Sequence, residues 1–156
     1  MEHNSFVFQS TVQSQWVDYN GHMNDAAYAK AFSLAVDAFM DFIGLDEDAR
    51  EKHAYTIFTL ETHLCYLQEA NEGEELQVFA QLLDVDDKRI HIFFTMKNNS
   101  GDIIATSEQM LMGIDTKEGK AASFPSPIST TIEKLSQSDK QVTIPKQVGR
   151  TIGIRR

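Results

Sequence analysis

The chain has 156 residues, of which 42% are hydrophobic and 24% are charged, and its formal net charge is -9. This length suits one ordinary domain with its own core, and the composition is that of a globular protein rather than a disordered one. The negative charge argues against a nucleic-acid partner, because phosphate backbones are bound by basic surfaces. No apolar run is long enough to cross a bilayer, so the sequence predicts no membrane partner.

Two features bear on the compartment. The N-terminal residues 1–4 show no basic segment followed by an apolar one, so the sequence predicts no secretory signal. The single cysteine, Cys65, has no partner for an internal disulfide, which is typical of a reducing environment. We therefore expect a cytoplasmic protein.

The apolar pattern predicts one long helix and an antiparallel sheet of about five strands. A first strand covers residues 6–12, and residues 24–43 form a helix in which apolar side chains recur at steps of three and four. Asn24 is placed to cap this helix, and Gly44 lies where helices end. The predicted fold class is α+β, with the sheet wrapped around the helix. The remaining strands are predicted at residues 55–67, 76–85, 89–97 and 103–115, joined by short turns.

Alternation assigns faces to two of these strands. Glu61 and His63 share a predicted face with Tyr55 and Ile57, and the ordinary interpretation is that this face is the hydrated side of the sheet. The predicted buried face of the strand at residues 89–97 consists of Ile90, Ile92, Phe94 and Met96.

The segment from Trp16 to Tyr28 concentrates the groups that can do chemistry. It places a carboxylate at Asp18, an amide at Asn20 and an imidazole at His22 just ahead of the helix, and Gly21 allows the backbone to approach a ligand closely. Unpaired N–H groups and the positive end of the helix dipole stabilise negative charge that develops on an oxygen. A nearby carboxylate serves as general base or nucleophile. These residue types are also common in turns and caps, so the residues alone leave a structural role open.

This pattern resembles the motif of the hydroxybenzoyl-CoA thioesterase branch of the hotdog-fold family, over about residues 6–125. The resemblance implies that Asp18 is the catalytic carboxylate and that the backbone N–H of Asp25 polarises the thioester oxygen. Asn20 and His22 also match an Asn-x-His pair in the related acyl-carrier-protein thioesterases, where both are implicated in catalysis. The residues that carry the resemblance are Asp18, His22, Met23, Asn24 and Tyr28.

A narrower resemblance is to the thioesterase subgroup associated with bacterial carnitine dehydrogenases, which is linked to hydrolysis of betainyl-CoA. Three segments carry it, at residues 17–24 (VDYNGHMN), 61–63 (ETH) and 105–110 (ATSEQM). Such a substrate implies a pocket in which aromatic rings and a carboxylate hold a trimethylammonium group. The candidate substrate-binding residues are Trp16, Tyr19, Asn24, Tyr28 and Glu61, with Tyr55 or Phe58 as further rings.

Some of these candidates have an ordinary alternative. Trp16 is equally consistent with a core residue and Glu61 with a surface residue, whereas the functional interpretation places Glu61 at an active site completed across a dimer interface. Lys88 and Arg89 belong to a charged hairpin tip, and they are also candidates for contact with coenzyme A phosphates.

The C-terminal part differs in charge from the rest. Residues 133–156 carry a net charge of +4, which leaves -13 on residues 1–132. This tail is either a solvated, partly frayed end or a segment that holds an anion such as the phosphates of coenzyme A. Thr130 and Glu133 form a capping-box pattern that predicts a short helix there. We divide the chain into a hotdog domain at residues 1–128 and a short helix with a basic tail at residues 129–156.

The resulting hypothesis is an acyl-CoA thioesterase that acts on a small acyl-CoA, with no cofactor beyond the coenzyme A of its substrate, as a homodimer or homotetramer. The histidines show no metal-type spacing, so we predict no metal. The alternatives are a non-catalytic acyl-CoA-binding or regulatory module on the same fold and a hotdog hydratase.

Overall fold

The computed structural model describes residues 5–156, and residues 1–4, in which the sequence predicts no secretory signal, lie outside the described part. A single 3₁₀ turn covers Ser14–Trp16. The other elements are, in chain order, β1 at Val7–Thr11, α1 at Asp25–Phe42, α2 at Glu47–His53, β2 at Tyr55–Tyr66, β3 at Glu75–Val85, β4 at Arg89–Asn98, β5 at Ile103–Asp115, β6 at Lys120–Ala121 and α3 at Ile128–Asp139.

The strands form one antiparallel sheet in the order β1-β3-β4-β5-β2, and the short β6 pairs with β5. Hairpins join β3 to β4 and β4 to β5, whereas β2 pairs with β5 rather than with its successor in the chain. β1 and β2 are therefore the two edges of the five long strands. This arrangement confirms the α+β class and the five predicted strands; the sequence predicts neither α2 nor β6.

α1 packs its apolar side against the sheet. Asn24 caps the helix as predicted, because its Oδ1 accepts a hydrogen bond of 2.9 Å from the N–H of Ala27. The helix ends just before Gly44, whose φ of +93° is readily adopted by glycine. The ring of Phe32 lies 6.3 Å, between centroids, from that of Phe94 on β4. Phe94 lies on the face of β4 that the sequence predicts to be buried. All four residues of this face are fully buried, namely Ile90, Ile92, Phe94 and Met96.

A bulge in β2 reverses the faces of its second half. The register with β5 is regular in the first half of the strand and shifts at Leu60. One extra residue turns every following side chain to the other face. Glu61 and His63 therefore lie on the outer face, the side of the sheet turned away from α1, and their predicted grouping with Tyr55 and Ile57 is wrong.

The C-terminal segment packs against the sheet. α3 lies against β3, and Ile128 and Ile132 are buried in the core. The buried carboxylate of Asp139 accepts a hydrogen bond of 2.9 Å from the N–H of Leu82. Farther on, the N–H of Gly149 donates to the Glu108 carboxylate at 2.7 Å. Of the predicted tail at residues 133–156, the part up to Gly149 is therefore packed and not frayed, whereas residues 150–156 are exposed.

The start of α3 also differs from the prediction. The helix begins at Ile128, with Pro127 at the N-cap position and no side-chain capping bond. Thr130 is already inside the helix, so the predicted start at Thr130 with a Glu133 capping box is wrong. The apolar side chain of Ile128 extends the helix because it is buried against the core. Among the helices of residues 5–156, none is long and apolar enough to cross a membrane.

Candidate active site

The predicted catalytic segment forms a tight loop that leads directly into α1. Val17 and Met23 pair across the loop as an isolated bridge, and the N–H of Asp18 donates to the carbonyl of His22 at 2.9 Å. The N–H of Asn24 then bonds to the carbonyl of Trp16 at 2.9 Å. These bonds fix the direction in which the chain enters the helix, so the loop and the start of α1 form one unit.

Asp18 organises this loop through one of its carboxylate oxygens. Oδ1 accepts the N–H of Asn20 at 2.9 Å and that of His22 at 3.4 Å, and the carbonyl of Asp18 accepts the N–H of Gly21 at 2.9 Å. Within residues 5–156, no hydrogen bond reaches Oδ2, and the side chain is exposed. The carboxylate is thus oriented by one oxygen while the other remains available to a water or a substrate.

Gly21 serves the turn rather than a close approach within this chain. Its φ is +80°, a conformation that other residues rarely adopt, and a Cβ at this position would meet no atom of residues 5–156 within 4 Å. Asp at the first position and Gly at the fourth are typical of the turn that residues 18–21 form.

His22 is held from the segment between β2 and β3. Its Nε2 lies 3.3 Å from a carboxylate oxygen of Glu69, and its backbone pairs with Asn71. The next residue, Met23, donates its N–H to the carbonyl of Ala70 at 2.8 Å. Sequence reasoning missed this contact of Glu69 with the candidate site, because no spacing or motif links it to a histidine so far away in the chain.

The N-terminus of α1 offers free donors beside this loop. Asp25 is the first residue of the helix, and no hydrogen bond within residues 5–156 reaches its backbone N–H. Its own Oδ1 accepts the N–H of Ala26 at 3.0 Å. A free N–H at a helix start is the type of donor that stabilises an oxyanion, as the resemblance implies for Asp25.

Tyr28 connects the helix to the end of β2. It is buried, and its hydroxyl donates to the carbonyl of Gln68 at 3.2 Å, while its ring meets that of Tyr66 edge to face at 5.3 Å. Burial raises the pKa of Tyr28 above its ordinary value. The Tyr66 hydroxyl in turn contacts the carbonyl of Asp25 at 3.4 Å. The end of β2 therefore lies next to the start of α1.

One chain does not bring the predicted trimethylammonium-binding residues together. Trp16 is a core residue that is 7% exposed, whereas Tyr19 on the loop is 96% exposed. Glu61 lies on the outer face of β2, and Tyr55 bonds through its hydroxyl to the carbonyl of Ala122 at 2.7 Å. No aromatic cage with Glu61 forms within residues 5–156 of a single chain.

Lys88 and Arg89 lie at the other end of the sheet from Asp18. The 11 residues of β3 separate the two ends of the sheet. At the usual rise of a strand, this length is roughly 30 Å or more. Arg89 pairs with Asp86, whose Oδ2 accepts the Arg89 Nε–H at 2.7 Å, and this bond lowers the pKa of Asp86 to about 2. These two residues therefore form the charged hairpin tip that the sequence predicts, far from the catalytic loop of their own chain.

A basic groove lies closer to the catalytic loop. It has a volume of about 710 Å³ and runs between the end of β2, at His63 and Leu67, and the C-terminal tail, at Lys146 and Arg150. Tyr66, which contacts Asp25, also lines it. The groove is thus lined by one neighbour of the helix start, Tyr66, and by the basic side chains of the tail. Three or more metal-ligating side chains do not cluster anywhere in the described part of the chain.

Comparison with known proteins identifies the family of this site. Residues 12–132 match the thioesterase-like superfamily. The chain belongs to this superfamily. The predicted thioesterase family, the hotdog fold and the predicted class of enzyme, a thioester hydrolase, are thereby confirmed.

Two curated relatives of this thioesterase-like chain act on the same compound. The chain is 40% identical over 149 residues to the betainyl-CoA thioesterase of Pseudomonas aeruginosa. The match covers 95% of this chain and 94% of that protein. It is 36% identical over 152 residues to the L-carnitine dehydrogenase/betainyl-CoA thioesterase of a Rhizobium species, covering 96% of this chain but 30% of that longer protein.

Solved structures agree with the superfamily. A Staphylococcus aureus protein in complex with CoA is 37% identical and superimposes with a TM-score of 0.91, covering 99% of this chain and 98% of that one. The DHNA-CoA thioesterase of the same organism is 15% identical and superimposes with a TM-score of 0.78, over 89% of this chain and 95% of that one. The second likeness supports the fold alone.

Proposed function

We propose that this chain hydrolyses betainyl-CoA to glycine betaine and coenzyme A. The observation that carries the proposal is the pairing of an oriented carboxylate at Asp18 with a free N–H at the start of α1. The identity to the Pseudomonas aeruginosa betainyl-CoA thioesterase, which extends over 95% of the chain, supports the choice of substrate.

The proposed reaction divides its tasks between these two groups. The thioester carbonyl oxygen lies against the N–H of Asp25, which stabilises the negative charge that forms when the carbonyl carbon is attacked. With Asp18 as general base, the carboxylate takes a proton from water as the oxygen attacks, and the C–S bond then breaks as the sulfur receives that proton. With Asp18 as nucleophile, an acyl-aspartyl anhydride forms first, coenzyme A leaves, and water hydrolyses the anhydride. Neither route requires a cofactor.

His22 and Asn20 act as positioning residues in this proposal. The backbone of both is bonded to Asp18, so their side chains lie on the same small loop as the reacting carboxylate. Glu69 holds the imidazole of His22 in one orientation. Asn24 caps the helix, and Tyr28 fixes the helix to the end of β2; both keep the Asp25 N–H in place.

The coenzyme A moiety is proposed to lie in the basic groove between β2 and the tail. Lys146 and Arg150 supply positive charge that suits phosphate groups, and the apolar side chain of Leu67 suits the uncharged arm of coenzyme A. This assignment replaces the predicted contact with Lys88 and Arg89 of the same chain. A cytoplasmic location and a homo-oligomeric state complete the proposal.

Release of free thiol from a panel of acyl-CoA thioesters tests this function. We expect betainyl-CoA to be hydrolysed with a kcat/KM well above those of acetyl-, butyryl- and benzoyl-CoA. If another acyl-CoA were hydrolysed in preference, that compound would replace betainyl-CoA as the proposed substrate. Binding of acyl-CoA without any thiol release would instead favour a non-catalytic module, and addition of water to an enoyl-CoA would favour a hydratase.

A further inference from the structure

The carboxylate of Glu108 has two partners on the outer face of the sheet. Glu108 lies on β5, opposite His63 of β2 and Phe93 of β4. Its Oε2 is 2.7 Å from Nε2 of His91, which also lies on β4. Its Oε1 accepts the N–H of Gly149 at 2.7 Å. Because an ionised carboxylate only accepts hydrogen bonds, His91 is the donor, and both oxygens of Glu108 are held.

The segment after α3, at residues 140–150, crosses this face as a strap. On β3, the Gln81 amide donates to the carbonyl of Val142 at 3.4 Å. On β4, Phe93 lines a small cavity together with Val142 and Pro145 of the strap. Phe93 is only 1% exposed although it lies on the outer face. The strap is therefore a packed cover of the sheet.

Glu108 fixes the part of the strap that carries basic side chains. Lys146 lies three residues before Gly149 and Arg150 directly after it, and both line the basic groove. Two backbone turns shape residues 145–150, and Gly149 lies in the second of them. The bond from Gly149 to Glu108 therefore sets the position of both basic side chains relative to the sheet.

A carboxylate is an unusual neighbour for a groove that binds phosphates. Its negative charge repels phosphate groups, so through its charge alone Glu108 would oppose binding. Its hydrogen bonds act in the opposite direction, because they hold the segment that carries the positive charges. Glu108 and His91 lie on β5 and β4, which are inner strands of the sheet, so a second copy paired along the edge strand β2 leaves these contacts in place.

We propose that Glu108 is a positioning residue for coenzyme A, which holds Lys146 and Arg150 in the basic groove through the N–H of Gly149. The inference rests on the proposed function, in which the coenzyme A moiety lies in that groove, and it gives Glu108 no part in the reaction itself. His91 keeps the carboxylate turned towards the strap. Without the bond to Gly149 the strap is free to move, and ordering it again weakens the binding of coenzyme A.

The test measures the Kd of coenzyme A by calorimetry for two substitutions of Glu108. Glu108→Ala removes the acceptor and the charge, and we expect the Kd to rise by about fivefold or more. Glu108→Gln removes the charge but keeps an oxygen that accepts the Gly149 N–H, so its Kd should stay within about twofold of the wild type or fall. A residue that acted through its charge alone would give tighter binding in both variants, and that result would overturn the proposal.

Turnover separates positioning from a general loss of structure. Glu108→Ala should raise KM for betainyl-CoA with kcat nearly unchanged, and it should hydrolyse a phosphate-free betaine thioester of N-acetylcysteamine within about twofold of the wild-type rate. The matched control is Asp84→Ala, which removes an exposed carboxylate from the same face and should not weaken coenzyme A binding. Equal losses on both thioesters would overturn the positioning role.

Hydrogen exchange of the wild type covers the case in which Glu108→Ala does not fold. The Gly149 amide should exchange at least about tenfold more slowly than in an unstructured peptide, and coenzyme A should slow it further. An unprotected Gly149 amide would overturn the proposal. If replacing both Lys146 and Arg150 with glutamine left the Kd of coenzyme A unchanged, the proposed groove would be overturned and the inference with it, whereas thiol release tests the hydrolase independently.

Discussion

The imidazole of His22 lies 3.3 Å from the carboxylate of Glu69, and this contact joins the catalytic loop to the segment between β2 and β3. The two segments are also joined through their backbones, since His22 pairs with Asn71 and Met23 donates to Ala70. The position of the imidazole is therefore set by a side chain that no local pattern in the sequence reveals. If His22 acts as proposed, Glu69 is a positioning residue, and this leads to a first prediction.

We expect Glu69→Gln to lower kcat by about three- to tenfold without lowering the melting temperature, because it loosens the orientation of His22 and removes no reacting group. Glu72→Gln is the control, since Glu72 is an exposed carboxylate on the same segment. Thiol release and thermal unfolding of both variants are the measurements. Equal effects of the two substitutions would show that only the charge of the segment matters.

The periodicity of apolar residues and the capping residues were sufficient to predict the main elements of the fold. α1 was predictable because buried positions such as Phe32 and Phe39 recur along one side, and because Asn24 and Gly44 mark its ends. α2 was not predicted, because it buries none of its residues. Asp46 nevertheless caps this helix, and its first and last turns carry the charges that a helix dipole favours. An apolar pattern cannot reveal a helix that has no apolar side.

The faces of β2 could not be predicted, because a bulge cannot be recognised from the alternation of apolar and polar residues along a strand. Leu60 is an ordinary β-forming residue, yet it shifts the register and moves Glu61 to the outer face. The catalytic loop was predictable because its carboxylate, glycine and helix cap are contiguous in the chain. Glu69 was not, since it reaches this loop only through the pairing of distant segments.

Replacing Asp18, the proposed catalytic carboxylate, gives the second prediction. Asp18→Asn is nearly isosteric and keeps an oxygen that accepts the loop N–H groups, so we expect the melting temperature to change little. It removes the base or nucleophile, and kcat should fall by about 100-fold or more. Asp37→Asn, at an exposed position on α1, is the control. Near-normal turnover by Asp18→Asn would remove this carboxylate from the mechanism.

Label from ¹⁸O-labelled water in a single turnover can reveal a nucleophilic role of Asp18. Hydrolysis of an acyl-aspartyl anhydride by attack at the aspartyl carbon places the label in the Asp18 carboxylate, where mass spectrometry of the peptide detects it. Label found only in the released acid indicates that water attacks the carbonyl carbon of the acyl group, either in the thioester, with Asp18 as general base, or in an anhydride.

The third prediction concerns assembly. β2 is an edge strand with large exposed apolar side chains, of which Phe58 is 53% and Leu60 is 50% exposed, and such edges are usually paired or covered. We expect a homodimer at least, and the variant Phe58→Lys with Leu60→Lys should shift the mass towards the monomer and reduce activity. Val7→Lys, on the opposite edge strand, is the control and should do neither. A wild-type monomer that is active at micromolar concentration would contradict this prediction.

The fourth prediction tests the docking of α3. Asp139→Ala removes the acceptor of the Leu82 N–H and leaves a buried donor unpaired, which typically costs about 1–3 kcal/mol. For a chain of this size we expect the melting temperature to fall by roughly 2–12 °C, with little change in kcat/KM well below it. Lys140→Ala, at the exposed neighbouring position, should leave the melting temperature unchanged. If Asp139→Ala proved as stable as the wild type, the carboxylate would not anchor α3 to β3.

The last prediction concerns the basic groove. If Lys146 and Arg150 bind coenzyme A phosphates, their combined change to glutamine removes charged hydrogen bonds worth about 1.5–3 kcal/mol each. We therefore expect KM for betainyl-CoA to rise by about tenfold or more, with kcat nearly unchanged and a weaker dependence of KM on salt.

A truncated substrate makes this prediction specific to the phosphates. The N-acetylcysteamine thioester of betaine keeps the reacting carbonyl and lacks every phosphate, so the double variant should hydrolyse it as fast as the wild type does. Lys134→Gln with Lys140→Gln is the matched control, because these two lysines line a different groove, beside Asp84 and Asp86. Equal losses on both thioesters would make the tail a structural element only. An unchanged KM for betainyl-CoA would indicate that the phosphates bind to another basic surface. Lys88 and Arg89 would then be the next pair to substitute.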